Sequence, residues 1–168
     1  NFSADRMRRA HDELARRGLS LASNQVRYSL LDRQIEHNGV LETAEELGVT
    51  IIAYSPLAQG ILTGKFHDDP EARNRLSGPR KYLSRFRPRG LEQTRPLIEK
   101  LREIGASHEA SPAQVSLAWV TQRHRERVVA IPGASSVSQA QSNAASTRLV
   151  LTSEELAILD ELSARVAG

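Results

Sequence analysis

The sequence predicts an α/β fold built around a parallel sheet, because short apolar runs alternate with helices along its 168 residues. The expected strands span residues 21–28, 50–54 and 127–131. The last two are almost continuously apolar, which is typical of strands buried on both faces. No GxGxxG or GxxxxGK[ST] turn is present, which disfavours an open nucleotide-binding sheet. Three strands are too few for a (β/α)8 barrel of typically about 250 residues, so the pattern predicts part of such a barrel.

The helices are marked by capping and terminating residues. Ser3 is expected to cap the first helix, and a second helix over 39–47 ends at Gly48. A third helix is predicted over 91–104, either started or kinked by Pro96. Three later helices begin with a capping box, in which a hydroxyl accepts from an amide three residues on and a Glu or Gln reaches back. These boxes pair Ser111 with Gln114, Ser136 with Gln139, and Thr152 with Glu155.

A long loop is predicted over residues 55–90, where periodicity is weak and breakers are frequent. A loop of that length inside a compact domain is usually functional. Its segment 73–89 carries seven basic and no acidic residues, which exceeds the net charge of +3 of the whole chain. One interpretation is a solvated loop, and the other is a loop that closes on a small polyanion such as a nucleotide phosphate.

The composition disfavours several classes of function. Without Cys, the chain has no disulfide, thiolate metal site or Cys nucleophile. The five His residues lack ligand-like spacing, so we expect no metal and interpret each as a surface residue. The longest apolar runs are too short to cross a bilayer, and we expect a cytoplasmic protein with no membrane partner. The basic loop has only Tyr82 and Phe86 as stacking aromatics, so nucleic acid is the least favoured partner.

Polar and small residues stand at the ends of all three predicted strands. Asn24 and Gln25 mark the first strand, residues 54–57 (YSPL) end the second, and residues 131–136 (IPGASS) lead from the third into a capped helix. Active sites of parallel barrels lie at the carboxyl ends of the strands, and free amides at a helix N-terminus attract anions. The joint placement predicts a functional site at this edge of the sheet.

These motifs resemble those of the aldo-keto reductases. Residues 1–3 (NFS) are similar to the end of the family's Ser-Asn-Phe signature, 24–33 (NQVRYSLLDR) to its Asn-Gln strand, and 53–65 (AYSPLAQGILTGK) to its cofactor loop. Residues 111–119 and 131–143 complete a match that covers essentially the whole chain in order. The sequence is more similar to the branch of potassium-channel β subunits and bacterial oxidoreductases than to the branch with His-Pro after the Asn-Gln strand.

The resemblance implies that residues 1–168 are the C-terminal half of a (β/α)8 barrel, from the end of strand 5 through strand 8 and the C-terminal helices. It implies an NADP(H)-binding part of an oxidoreductase that reduces small aldehydes or ketones to alcohols. The family's catalytic Asp, Tyr, Lys and His precede the Ser-Asn signature, so no catalytic residue is assigned to this chain. The expected partner is the N-terminal half of the barrel. The alternative is a non-catalytic, nucleotide-sensing or regulatory fragment.

The resemblance also implies contacts with the nicotinamide end of the cofactor. Asn1 and Gln25 would hold the carboxamide, whose donor and acceptor groups suit side-chain amides. Tyr54 would stack on the nicotinamide ring and fix which face presents its hydride.

The remaining implied contacts follow the rest of the cofactor. The pyrophosphate path would be lined by Ser55, Leu57, Gln59 and Gly60. Lys65 and Arg75 would supply positive charge to the phosphates, with Arg73 or Arg80 as alternatives to Arg75. Gly133 and Ser135 would receive the 2′-phosphate side, with Gln139 and Asn143 near the adenine.

Overall fold

A computed structural model describes residues 1–76, 78, 82–124 and 127–166 of the chain. Strands β1 (Ser23–Arg27), β2 (Thr50–Tyr54) and β3 (Val128–Ile131) form a parallel sheet in the order β1-β2-β3. The predicted parallel sheet is confirmed, although β1 is shorter than the apolar run that predicted it. Arg80, the alternative phosphate contact, lies outside the described residues.

The described helices lie before, between and after the strands, and α2 and α6 contact the sheet directly. They are α1 (Ala4–Ala15), α2 (Val40–Leu47), α3 (Lys65–Asp68), α4 (Pro70–Asn74), α5 (Pro88–Ser107), α6 (Pro112–Arg123), α7 (Val137–Ala145) and α8 (Ser153–Ala164). The Ser3 hydroxyl caps α1, Gly48 ends α2 in the left-handed conformation, and complete capping boxes stand at Ser111 and Thr152. These four expectations are confirmed.

Helix α5 begins one turn before the predicted start, at Pro88, and it contains Pro96 within its length. Gly90 was expected to be the last residue of the long loop, but it lies in the first turn of α5. A Cβ at Gly90 would lie 2.5 Å from the backbone oxygen of Ser84, so the glycine allows the preceding turn to pack against the helix.

The segment predicted as a long loop contains short helical elements. It includes a 3-10 segment at Ala58–Thr63, helices α3 and α4, and another 3-10 turn at Ser84–Phe86. Phe66 and Phe86 are buried and meet edge to face with their ring centroids 5.2 Å apart. Apolar anchors therefore hold the described part of this segment against α5.

The sheet is covered by helices on one face only. Val26, Ile51, Ala53 and Val128 are buried on the covered face. The opposite face, called here the open face, consists of residues at alternate positions of each strand. They are Ser23, Gln25 and Arg27 from β1, Thr50, Ile52 and Tyr54 from β2, and Val129 and Ile131 from β3. Val129 and Ile131 are 48% and 46% exposed, so the expectation of burial on both faces is wrong for the described residues.

A network of charged and aromatic groups joins the segment after β1 to helices α6 and α8. Tyr28 donates a 2.6 Å hydrogen bond to Glu36, and Arg33 donates to both Glu36 oxygens and to the backbone of Asp160. The fully buried Trp119 donates to the Asp160 carboxylate at 2.9 Å. Trp119 is therefore part of the core and not a contact of the strand-end site.

Four of the five histidines interpreted as surface residues, His11, His67, His108 and His124, are partly buried instead. The His67 Nε2 atom lies 2.8 Å from the Thr94 hydroxyl, and the His108 Nε2 atom lies 2.8 Å from Glu155. The His124 ring centroid is 6.1 Å from that of Tyr28. Within the described residues there is no metal-binding group of three or more His, Cys, Asp or Glu. No helix in the same part of the chain is long and apolar enough to cross a membrane.

The network shifts the pKa values of its members. Burial alone would raise the pKa of Glu36, but nearby His124 and hydrogen bonds from Arg33 and Tyr28 hold it well below its usual range. Burial, together with the bond to Glu36, raises the pKa of Tyr28. The Glu36 contribution to stability is therefore present above the pKa of an unfolded glutamate, about 4.3, and is lost as the pH falls below it.

In the complete barrel that the sequence predicts, Glu36→Gln should lower the free energy of unfolding at pH 7 by about 2 kcal/mol or more, because the Arg33 guanidinium loses its nearer carboxylate and keeps Asp160 at 3.5 Å. It should also flatten the loss of stability between pH 5 and pH 3. Thermal unfolding across this range measures both effects, with Glu45→Gln on the exposed side of α2 as the control. Equal pH profiles for the parent and Glu36→Gln would contradict the role given to Glu36.

Candidate functional site

The carboxyl ends of the three strands lie at one edge of the sheet. Arg27, Tyr54 and Ile131 are in register across this edge and share the open face. The segments that follow β2 and β3 therefore emerge side by side. The predicted convergence is confirmed for the ends of β2 and β3, but Asn24 and Gln25, which were expected at the end of the first strand, lie within β1, and Arg27 ends it.

A cleft of about 640 Å³, called here the Gly133 cleft, lies between the segments that follow β2 and β3. It includes seven of the residues expected to contact the cofactor: Ser55, Leu57, Gln59, Gly60, Gly133, Gln139 and Asn143. None of its described lining residues is charged. An anion in this cleft would be held by backbone amides, hydroxyls and side-chain amides.

The segment after β2 has an unusual backbone. Ser55, Ala58 and Gln59 have φ values of 53°, 48° and 59°, in the left-handed region that non-glycine residues rarely adopt. Gly60, with φ 99°, lies over Phe66, whose ring would be 3.3 Å from a Cβ at this position. Such strain is often concentrated at binding sites, where the surrounding structure maintains it.

Two side chains from α7 hold the segment after β3. The Gln139 side-chain oxygen accepts from the Ser135 amide at 2.7 Å and from its hydroxyl at 3.0 Å. Asn143 donates to the Gly133 carbonyl at 3.4 Å. The Ser136 hydroxyl caps α7 as predicted, but Gln139 reaches back to Ser135 rather than to Ser136. The expected capping box is therefore displaced by one residue and organises the wall of the cleft.

The side of Gly133 where a side chain would stand faces open space. A Cβ added there would meet no described atom within 4 Å, and its φ is not in the left-handed region. Neither packing nor backbone conformation requires glycine at this position. The small residue leaves open space beside the cleft, where a ligand can approach the backbone closely.

A second cavity, called here the Arg27 cavity, lies on the other side of Tyr54. Its volume is about 360 Å³, and Asn1, Arg27, Asp32 and Gln34 are also among its lining residues. The two cavities together therefore contain nine of the thirteen predicted cofactor contacts, seven in the first and Asn1 and Tyr54 in the second.

Asn24 has a role that the sequence analysis missed. Its buried side chain accepts from the Phe2 amide and donates to the Phe2 carbonyl, both at 3.0 Å. This pair of bonds fixes the first residues against β1, where the Asn1 backbone nitrogen donates to the Gln25 carbonyl at 2.7 Å. Strand alternation contained the signal, because Gln25 on the open face turns Asn24 inward, where a polar side chain needs partners.

The other predicted contacts lie outside both cavities. Gln25 is exposed on the open face, Lys65 is exposed at the start of α3, and Ser135 is exposed and bonded to Gln139 beside the cleft. Arg75 is exposed and donates to the Glu71 carbonyl at 3.3 Å. The described chain does not bring these four side chains together.

A parallel α/β sheet with a neutral, glycine-containing cleft at its carboxyl edge is typical of proteins that bind an anionic ligand through their backbone. Comparison with known proteins identifies the group. The model of the aldo/keto reductase family matches residues 1–164, and the chain belongs to this family. The resemblance of the sequence motifs is confirmed.

Similar proteins come from fungi, bacteria and plants. The chain is 36% identical to aldo-keto reductase str7 of Strobilurus tenacellus, over 96% of this chain and 46% of the relative. It is 40% identical to an uncharacterized oxidoreductase of Mycobacterium tuberculosis, over 92% of this chain and 45% of the relative. The chloroplastic pyridoxal reductase of Arabidopsis thaliana is 34% identical, over 92% of this chain and 40% of that protein.

A solved structure is similar over the same part. It is a thermostable aldo-keto reductase in complex with the inhibitor epalrestat, with a TM-score of 0.68 and 28% identity. The superposition covers 96% of this chain and 46% of that one. The chain thus spans about half the length of the relatives it matches.

In the complete barrel that the sequence predicts, Gly133→Ala should change the free energy of unfolding by less than about 0.5 kcal/mol, because the added methyl group meets open space. Gly105→Ala is the matched comparison, since a Cβ there would collide with the Ala110 carbonyl oxygen. It should cost about 1 kcal/mol or more through overpacking. Urea unfolding measures both variants, and equal destabilisation would show that the fold itself requires Gly133.

Proposed function

We propose that the chain is the C-terminal half of a (β/α)8 barrel in an oxidoreductase that reduces aldehydes or ketones with NADPH. Its family membership supports the class of reaction. The observation that carries the proposal is the one-sided sheet with a neutral cleft at its carboxyl edge. In a complete barrel, the open face would be the interior, filled by side chains from the other strands.

The residues of the Gly133 cleft fit an NADP(H) molecule. The open space at Gly133 allows a phosphate to approach the backbone, and the hydroxyl and amide side chains offer donors without a competing carboxylate. Gln139 and Asn143 keep the segment after β3 in place for this contact. We assign the adenosine side of the cofactor to this cleft.

The nicotinamide end is assigned to the neighbouring strand ends. Tyr54 on the open face offers its ring for stacking, and the Gln25 side chain on β1 has its amide free to bind the carboxamide. When bound, NADPH supplies a hydride for the carbonyl carbon. The contribution of these residues is to orient the ring and to select the face that reacts.

The proton for the carbonyl oxygen must come from another part of the complete protein. Tyr28 is fully buried, and its hydroxyl donates a hydrogen bond to Glu36. Burial raises the pKa of this hydroxyl. It cannot serve as an exposed acid in the cleft. The chain alone is therefore proposed to be inactive, with its catalytic groups on the N-terminal half. If the complete protein binds NADPH but oxidises it with no carbonyl compound, a nucleotide-sensing role replaces the enzymatic one.

Tyr54→Ala in the complete protein should weaken NADPH binding by roughly 1 kcal/mol or more, the order of an aromatic stacking contact. Tyr54→Phe keeps the ring and should bind nearly as tightly as the parent. Calorimetric titration measures both variants. Unchanged affinity in Tyr54→Ala would remove this residue from the site.

NADPH should bind more tightly than NADH, and the difference should shrink as salt rises, because the extra phosphate is attracted by Lys65 and Arg75. Replacing both with Gln should reduce the preference, whereas Arg9→Gln on α1 should not. Titrations at low and high salt measure these differences. A preference for NADH, or one that salt does not change, would argue against the phosphate assignment.

A further inference from the structure

We propose that Arg27 selects the substrate, and that the preferred substrate is an aldehyde or ketone that also carries a carboxylate. This inference rests on the proposed reductase function and adds the substrate class. It concerns a residue that none of the cofactor assignments uses.

The position of Arg27 directs it to the reacting end of the site. It is the last residue of β1, in register with Tyr54 and Ile131 on the open face at the carboxyl edge. Its guanidinium carbon lies 5.8 Å from the Tyr54 ring centroid. Among the described residues of the open face, it is the only charged one.

The Arg27 guanidinium has donors to offer. Its side chain is 45% exposed, and it makes no hydrogen bond to another described residue. Arg33, by contrast, is almost fully buried, and its donors are used by Glu36 and Asp160. A guanidinium presents a planar pair of N–H groups that matches the two oxygens of a carboxylate.

The nearby carboxylate of Asp32 does not satisfy these donors. Its oxygen is 3.5 Å from an Arg27 nitrogen, longer than an ordinary N–H···O hydrogen bond. Asp32 is held by two backbone bonds to Ser29, so it is fixed beside the cavity. We infer that Asp32 restrains the side chain of Arg27 and competes weakly with an incoming carboxylate.

The Arg27 cavity fits a small anion of single charge. Its volume is about 360 Å³, and its other polar lining residues include Asn1, Gln34 and Asn38, which are neutral at their side chains. Arg27 and Asp32 together give the described lining no net charge, so a carboxylate adds one negative charge beside Asp32 and a doubly charged phosphate adds two. The carboxylate would stay unchanged while its carbonyl neighbour accepts hydride and a proton.

The test compares para-carboxybenzaldehyde with its neutral methyl ester in the complete protein. Arg27→Gln should lower the ratio of kcat/KM for the acid to that for the ester roughly ten- to hundredfold, the range expected for a charged hydrogen bond. The change should appear mainly in KM. The acid-to-ester ratio of kcat/KM for Arg27→Lys should fall between those of the parent and Arg27→Gln. Arg9→Gln, on the exposed side of α1, should have the same ratio as the parent.

Asp32→Asn separates substrate recognition from a structural ion pair. If Arg27 binds the substrate, removing the competing charge should raise the preference for the acid. If the pair serves only to stabilise the fold, Asp32→Asn and Arg27→Gln should lower activity alike toward both compounds. That result, or an unchanged ratio in Arg27→Gln, would overturn the proposal.

A binding measurement keeps this test separate from the proposed reductase activity. Calorimetry with para-(hydroxymethyl)benzoate and with benzyl alcohol reports carboxylate recognition without turnover. Binding of the acid that is lost in Arg27→Gln supports the site even if no carbonyl compound is reduced. Equal binding of the acid by the parent and Arg27→Gln would contradict it, whatever the activity.

Discussion

Parallel sheets are stable when other elements cover both faces, and the described helices of this chain cover one face. Each strand sends alternate residues to opposite faces, so burying Val26, Ile51 and Val128 beneath the helices turns Gln25, Ile52 and Val129 to the open face. Covering apolar groups such as Val129 and Ile131 lowers the free energy of the folded state, and leaving them exposed forgoes that stabilisation. The interpretation of the chain as part of a barrel depends on this constraint.

The same alternation builds the candidate site. Because the strands are parallel and in register, the residues that end them form one row, with Tyr54 between Arg27 and Ile131. The backbone after β2 and the Gln139 bonds after β3 then shape the cleft beside that row. The network around Glu36 anchors the segment after β1 to α6 and α8, so the Arg27 side of the row has a rigid support.

The sequence predicted the parts of this structure that depend on local signals. Capping residues such as Ser111 and Thr152, the stop at Gly48 and the strand over residues 50–54 were all recognisable, because each acts within a few residues. Seven of the residues that the motifs implied as cofactor contacts line the Gly133 cleft. What failed depends on distant partners. Gly90 was placed in the predicted loop because local sequence does not reveal that it packs against the Ser84 carbonyl. His67 was interpreted as a surface residue because its contact with Thr94, on another helix, is equally invisible in the local sequence.

Hydrodynamic size and thermal unfolding of residues 1–168, alone and joined to the N-terminal half that the proposal requires, test the barrel interpretation most directly. Alone, the chain exposes two sheet edges and an apolar face, so we expect self-association and unfolding without a sharp transition. The joined protein should be compact and unfold cooperatively. A chain of 18.6 kDa that remains monomeric and unfolds cooperatively by itself would show that its open face needs no partner, and would contradict the account.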